Sequence, residues 1–180
     1  MISLFKQNKI FVIIILFATM VVGIVYLNIQ DISESLNVSE DILLKDKIDN
    51  KKCDFEGEVL VTKVIDGDTI IVEGGEYIRL IGIDSDEFGY PCYYSAKKEL
   101  ENLVLNKKVI LQKDISVTDK YGRCLNYVFL KLQNINVEMV KRGLAVASFY
   151  EPDVKYKAEI KYAESHAIKG RIGCKWSNLK

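Results

Sequence analysis

The residues of this chain best suited to chemistry fall in two short runs. The first, DGDTIIVEGGEYIRLIGIDSDE, covers residues 66–87, and the second, DKYGR, covers residues 119–123. Asp68 stands just past a glycine turn, and Asp84 ends a strand-like segment. Two carboxylates at the ends of neighbouring strands can share one hard cation, which prefers oxygen ligands. A cation held by so few protein groups keeps positions open for a phosphate oxygen and a water. Arg79 and Arg123 add two permanently charged, planar forks that match a phosphate and the charge of a pentacovalent transition state. Glu87, three residues beyond Asp84, can orient or deprotonate a water for in-line attack. These types point to metal-assisted phosphoryl chemistry, although DGD is also a plain turn signal and loop carboxylates are often merely solvated. One geometric obstacle stands. Arg79 and Asp84 are five residues apart, an odd number, so strict alternation along one strand puts them on opposite faces. A bend near Gly82, or strong strand curvature, is needed to unite them.

Such a site needs a scaffold that gathers strand ends. Segments GEVLVTKVI, TIIVEG, YIRLIGI, VILQKDI and CLNYVFLKL are rich in Val, Ile and Tyr, with DGD, EGGE and NKK as punctuating turns. Five short strands in about 75 residues, without the helices that parallel crossovers require, predict a small closed barrel. Three helices are predicted. Ser95–Leu105 has Ser95 as its cap, Val137–Arg142 is stopped by Gly143, and Tyr156–Lys169 presents Ile160, Ala163, Ala167 and Ile168 as an apolar stripe. At 180 residues the chain holds one such domain plus an appendage.

The appendage is N-terminal. Ile10 to Leu27 runs eighteen residues without a charge, and as a helix it spans about 27 Å, close to the roughly 30 Å bilayer core. Lys6 and Lys9 precede it while Asp31, Glu34, Glu40 and Asp41 follow, so the positive-inside rule keeps the short N-terminus inside and exports the rest. The expected organisation is a cytoplasmic N-terminus (1–9), a transmembrane anchor or signal (10–27), a linker (28–52) and a domain (53–180). The expected location is the cell membrane, single-pass with the C-terminal domain outside, or the exterior itself if the segment is cleaved as a signal.

Lys plus Arg and Asp plus Glu each total 25, so net charge does not mark a polyanion-binding protein, and any nucleic-acid site must be a focused one. Cys53, Cys92, Cys124 and Cys174 include no C-x-x-C, which argues against an ordinary zinc site and, in an exported domain, for disulfides. Pairing Cys53 with Cys174 would staple both ends of the domain to one body, leaving Cys92 with Cys124; four buried free thiols are the alternative.

The stretches VTKVIDGDTIIV, IRLIGIDSDE, DKYGRCLNYVFL and NVEMVKRGLA, in this order and spacing, resemble the staphylococcal nuclease (thermonuclease) family over roughly residues 56–176. The resemblance implies a five-stranded OB-fold barrel plus three helices, here preceded by the N-terminal transmembrane helix. It also implies a Ca2+-dependent endonuclease that hydrolyses phosphodiester bonds of DNA and RNA and leaves 3′-phosphate ends. Carried over position by position, Asp68 and Asp84 match carboxylate metal ligands, and Ser85 matches a residue that lends its backbone carbonyl. Arg79 and Arg123 match two catalytic arginines and Glu87 the glutamate assigned as general base. Lys120, Tyr121 and Tyr150 match residues at the bound nucleotide. The family strand is strongly curved, which would let Arg79 and Asp84 converge.

Two departures stand out. Ser85-Asp86-Glu87 occupies a place where the family commonly has Thr-Pro-Glu, which frees the backbone before Glu87 and adds a charge. The loop between Asp68 and Arg79 is also short. The expected partners are DNA and RNA as substrates and the membrane through the N-terminal helix, with the protein a monomer that needs no protein partner. The competing reading is a non-catalytic OB-type module that binds nucleic acid or protein; a degenerate copy would have lost a charged group, and all five are present here. His166 reads as a structural or surface residue, Trp176 as one that packs against or caps the C-terminal tail, and Lys141-Arg142 as cations that complement a helix end. Tyr93 and Tyr94, beside the Glu87 loop, fit either packing or a stacking surface for bases.

Overall fold

The computed structural model describes residues 20–21, 23–30, 32–33, 53 and 56–177. The chain divides into two units, Met1–Ile48 and Asp49–Lys180. In the first, the described residues are helical and exposed. Among the described residues no helix is long and apolar enough to cross a membrane; most of the expected span 10–27 and of the expected linker 28–52 lies outside them.

The second unit contains, in order, β1 (Gly57–Val64), β2 (Thr69–Val72), β3 (Tyr77–Leu80), β4 (Ile83–Ser85), α1 (Tyr93–Val104), β5 (Lys108–Gln112), β6 (Cys124–Leu130), β7 (Gln133–Asn134), α2 (Ile135–Lys141), β8 (Ala145–Ala147), α3 (Lys157–Gly170) and α4 (Gly173–Trp176). Antiparallel pairing runs β3-β2-β1-β5-β6, and a parallel β3–β6 pairing with Ile78 opposite Cys124 closes the ring. The five predicted strands thus form a closed OB-type barrel. A bulge in β1 between Val61 and Lys63 supplies extra twist for so tight a closure. Alternate residues point inward, and Val61, Ile70, Ile78, Leu80, Leu111 and Tyr127 fill the interior without solvent exposure beyond 1%.

The helices depart from expectation at their starts. α1 begins at Tyr93 rather than Ser95, with Cys92 at its N-cap and no side-chain cap of its own. Its entry is held from outside, because Asp86 Oδ2 accepts the Cys92 N–H at 2.8 Å. α2 begins at Ile135 rather than Val137, capped by Asn134, whose Oδ1 accepts the Val137 N–H. In α3 Ile160, Ala163 and Ala167 are buried as expected, but Ile168 is exposed. The short α4 has no apolar periodicity to announce it.

The segment expected as one strand, YIRLIGI, is two. β3 stops at Leu80, the chain turns at Ile81-Gly82, and β4 leaves to pair with β8, Asp84 opposite Val146. Gly82 has φ +80°, and a Cβ there would meet Phe149 Cε1 at 2.7 Å and Ile160 Cδ1 at 2.9 Å. Three further bonds hold the turn. Ile81 N–H donates to Asn126 O (3.0 Å), Ser148 N–H to Gly82 O (2.9 Å), and the buried Asn136 Nδ2 to Ile81 O (2.8 Å). Gly82→Ala is expected to destabilise the domain by about 1–2 kcal/mol from the left-handed backbone alone, and by more once Phe149 must move. Urea unfolding midpoints of variant and wild type check this.

Candidate active site

The break at Gly82 removes the parity obstacle by resetting the alternation between Arg79 and Asp84. Arg79 closes the bend with its own guanidinium: Nη1 donates to Leu80 O (2.7 Å) and Ile83 O (2.8 Å), and Nη2 to Asp84 Oδ1 (2.9 Å). Its Nε lies 3.1 Å from Asp68 Oδ1. Asp68 is buried, and its Oδ2 accepts the Ser85 N–H at 2.7 Å. That approach depends on Gly67, where a Cβ would meet Ala96 Cβ at 2.5 Å and Ser85 Cβ at 2.7 Å. Only glycine lets the 66–68 turn sit so close to α1 and β4.

Arg123 enters from the turn before β6. Asp119 builds that turn: Oδ1 accepts the N–H groups of Tyr121 (2.9 Å) and Arg123 (3.0 Å), while Oδ2 accepts Arg123 Nε at 2.7 Å. Arg123 Nη1 reaches Thr69 Oγ1 at 3.4 Å, and Thr69 Oγ1 donates to Asp68 Oδ1 at 3.0 Å. Both arginines are therefore linked to one carboxylate, Arg79 directly and Arg123 through Thr69. Sequence reasoning passed over Thr69 and Asp119. A carboxylate four residues before an arginine in a Gly-containing turn was the available signal for Asp119; nothing local marks Thr69.

Electrostatics show a surplus of acid at this rim. Burial first, then the charge of Asp68, raises the Asp66 carboxyl to about 6, with a smaller push from Glu87. The Asp84 carboxyl is also raised, by burial and by Asp68, against the opposing pull of Arg79 and Lys175. Glu87 is exposed, and its side chain makes no hydrogen bond or ion pair among the described residues. Lys120 and Tyr121 lie on the Arg123 turn, with Lys120 Nζ 5.0 Å and Arg123 Cζ 5.5 Å from the Tyr121 ring centroid. Tyr121 and Tyr150 are exposed; among the described residues no side-chain hydrogen bond, ion pair or ring contact joins Tyr150 to the other expected site residues. A recess of about 370 Å³ is lined by Tyr121, Gly122 and Arg123 and by Gly75, Glu76 and Tyr77 of the β2–β3 connection.

Asp86, the residue in the proline's place, does not loosen the turn. It bridges the Cys92 N–H and the Lys175 ammonium. Burial alone would raise its carboxyl, but these two bonds outweigh burial and hold it below its ordinary value. The disulfides reinforce the same connection and correct the expected pairing: Cys92 bonds to Cys174 and Cys53 to Cys124, with Cα separations of 5.5 and 5.2 Å. Cys124 opens β6 at the closing seam of the barrel, while Cys92 at the head of α1 meets α4. Pairing follows where Cβ atoms meet, which spacing along the chain does not reveal. Arg142, in turn, is paired with Glu99 and Glu138 and serves the fold, and His166 packs on Tyr162.

Fold and rim together define an OB-barrel protein with an acid-and-arginine site at the mouth of its closing strands. Residues 77–178 match the family described as Staphylococcal nuclease homologue. The chain is 40% identical over 133 residues to a thermonuclease of Staphylococcus intermedius, covering 66% of this chain and 77% of that protein. It is 38% identical over 127 residues to a thermonuclease of Staphylococcus hyicus, covering 66% and 75%. Endonuclease YncB of Bacillus subtilis is 33% identical over 130 residues, 66% of this chain and 61% of its own length. The chain belongs to the staphylococcal nuclease family.

The Asp86 bridge yields a pH prediction. A carboxyl held below its ordinary value stabilises the fold fully above that value, about pH 4, and ceases to do so as pH falls through the lowered one. Asp86→Asn is expected to cost about 1–3 kcal/mol at pH 7, with variant and wild type converging below about pH 4. Urea midpoints measured across pH give the comparison.

Proposed function

We propose that this chain is a Ca2+-dependent endonuclease that cleaves DNA and RNA to 3′-phosphate ends, acting as a monomer whose domain is held outside the cell membrane by the apolar segment Ile10–Leu27. That it is a nuclease hydrolysing phosphodiester bonds follows from its family and from relatives that are thermonucleases and endonucleases. The observation that carries the finer reading is the convergence of Arg79, Arg123 and Asp84 on Asp68. Two fixed guanidinium groups beside clustered carboxylates suit a phosphate and a cation.

The donor set fits a hard cation. Asp66 and Asp84 are both pushed toward the neutral form in part by Asp68, a repulsion that a bound cation relieves. Two carboxylates, Asp68 and Asp84, with the Ser85 carbonyl, would hold such a cation and leave positions open for phosphate and water. Calcium held there supplies Lewis-acid polarisation of a phosphate oxygen.

The remaining chemistry belongs to side chains. Arg79 and Arg123 hold the phosphate and stabilise the charge that develops as a fifth oxygen approaches phosphorus. Glu87, on an exposed loop and with a side chain that makes no hydrogen bond or ion pair among the described residues, orients the attacking water and receives its proton. The bond from phosphorus to the 5′ oxygen then breaks, the departing oxygen takes a proton from solvent to become a 5′ hydroxyl, and the phosphate stays on the 3′ side. Lys120, Tyr121 and Tyr150 contact the nucleotide. Most of these contacts go to the backbone, so little base specificity is expected.

Full-length protein is expected to cleave single-stranded DNA in calcium and to stop in chelator, with Glu87→Gln slower by roughly 10²–10⁴-fold. A folded protein inactive in calcium would sink the catalytic reading. Asp119→Ala, which leaves Arg123 in place but removes its tether, should lower kcat by about tenfold or more while KM changes little, because oriented charge acts in the transition state. Steady-state kinetics on a fluorogenic oligonucleotide separates the two parameters.

A further inference from the structure

We propose that Phe88, Tyr93 and Tyr94 form a stacking subsite for unpaired nucleobases of the strand being cleaved, an inference that rests on the nuclease reading above. The three rings pack edge-to-face: Phe88–Tyr93 centroids lie 5.4 Å apart, Tyr93–Tyr94 5.1 Å and Phe88–Tyr94 6.3 Å, with interplanar angles of 75–87°. The cluster is not buried in any core. Phe88 is 73% exposed and Tyr94 68%. Rings of this size gain substantially from burial, so an open cluster marks a contact surface.

Three observations choose the occupant. The cluster is continuous with the proposed active site, since Phe88 follows Glu87 and Tyr93 Oη donates to Ile65 O at 3.2 Å, one residue before Asp66. Cations accompany the rings: Lys97 Nζ lies 5.9 Å from the Tyr93 ring centroid, and Lys98, four residues after Tyr94 on α1, has a side chain 72% exposed, with a long 3.8 Å ion pair to Glu101. Aromatic faces interleaved with lysines are the chemistry that tracks a single strand, with bases on rings and phosphates on ammonium groups. The platform is also rigid at both ends. Asp86 holds the Cys92 N–H and the Cys92–Cys174 bond fixes the loop's exit, so little ordering is left to lose on binding. Duplex bases, already stacked on one another, offer no free face, which makes the occupant an unpaired segment. Tyr121 and Tyr150, on other elements, are separate from this surface.

The test is binding of full-length protein, in chelator, to two fluorescent strands of equal length, an oligothymidylate and its abasic counterpart with the same phosphates. Wild type is expected to bind the base-bearing strand about tenfold or more tightly than the abasic one. The double variant Phe88→Ala/Tyr94→Ala, which spares the Tyr93 anchor, should lose most of that discrimination, with abasic binding and thermal midpoint unchanged. Undiminished discrimination in the variant, an equal loss on both strands, or loss only of lipid-vesicle binding or of self-association would each overturn the subsite. Discrimination by a wild type that cleaves nothing in calcium would leave a base-binding surface but sink the nuclease reading, and with it the claim that the bound strand is a substrate. Cleavage with discrimination untouched by the variant sinks the subsite alone.

Discussion

Both oxygens of the buried Asp68 carboxylate are engaged, Oδ2 by the Ser85 N–H and Oδ1 by Thr69 Oγ1 and Arg79 Nε. A carboxylate removed from water is tolerated only when paired and hydrogen-bonded, and much of the architecture can be read as meeting that requirement. β4 must turn back so that Ser85 presents its N–H. The Gly67 turn must lie against α1 so that the carboxylate reaches it, and Arg79 must stay with the bend rather than follow its strand outward. The residue that most needs support is thereby the one that draws two strands, one helix and two arginines to a common point.

Around that knot, support comes from unexpected directions. Asp86, standing where a proline would stiffen the Glu87 turn, bonds the Cys92 N–H at the head of α1 and Lys175 of α4. α4, only four residues long, is thus held to the rim by an ion pair and a covalent bond. Gly143 and Gly173 let its backbone come close, since a Cβ on either would strike the other segment's main-chain atoms. A proline constrains a turn through its own ring; here the same turn is constrained through partners that lie far away in sequence.

How much of this was legible in the sequence depended on whether the cause was local. Period-two runs of Val and Ile marked all five barrel strands, and the charged residues of the rim stood out by type. The split of YIRLIGI was only half visible: parity demanded a bend near Gly82, but its cause is contact with Phe149 and Ile160 and a bond from Asn136, all distant in sequence. The start of α1 was misplaced because Ser95 looked like a cap while the actual stabiliser, Asp86, acts from the preceding loop. The pairing of cysteines and the bridging role of Thr69 likewise depend on three-dimensional proximity. Asp119 was within reach, since it stood in a motif already singled out, but its role shows only when both its oxygens are seen to serve one turn.

The two disulfides interleave, Cys53 to Cys124 and Cys92 to Cys174. Every peptide bond between residues 53 and 174 therefore lies inside at least one covalent loop, and those between 92 and 124 lie inside both. A protease that clips any exposed turn in that span, whether beside Phe88 or at Tyr121, produces two polypeptides that cannot diffuse apart. Nicked molecules keep their pieces together, and with most of the barrel's hydrogen bonds undisturbed they retain the chance to remain folded. Such cross-links extend the life of a clipped molecule beyond what its thermodynamic stability alone would suggest.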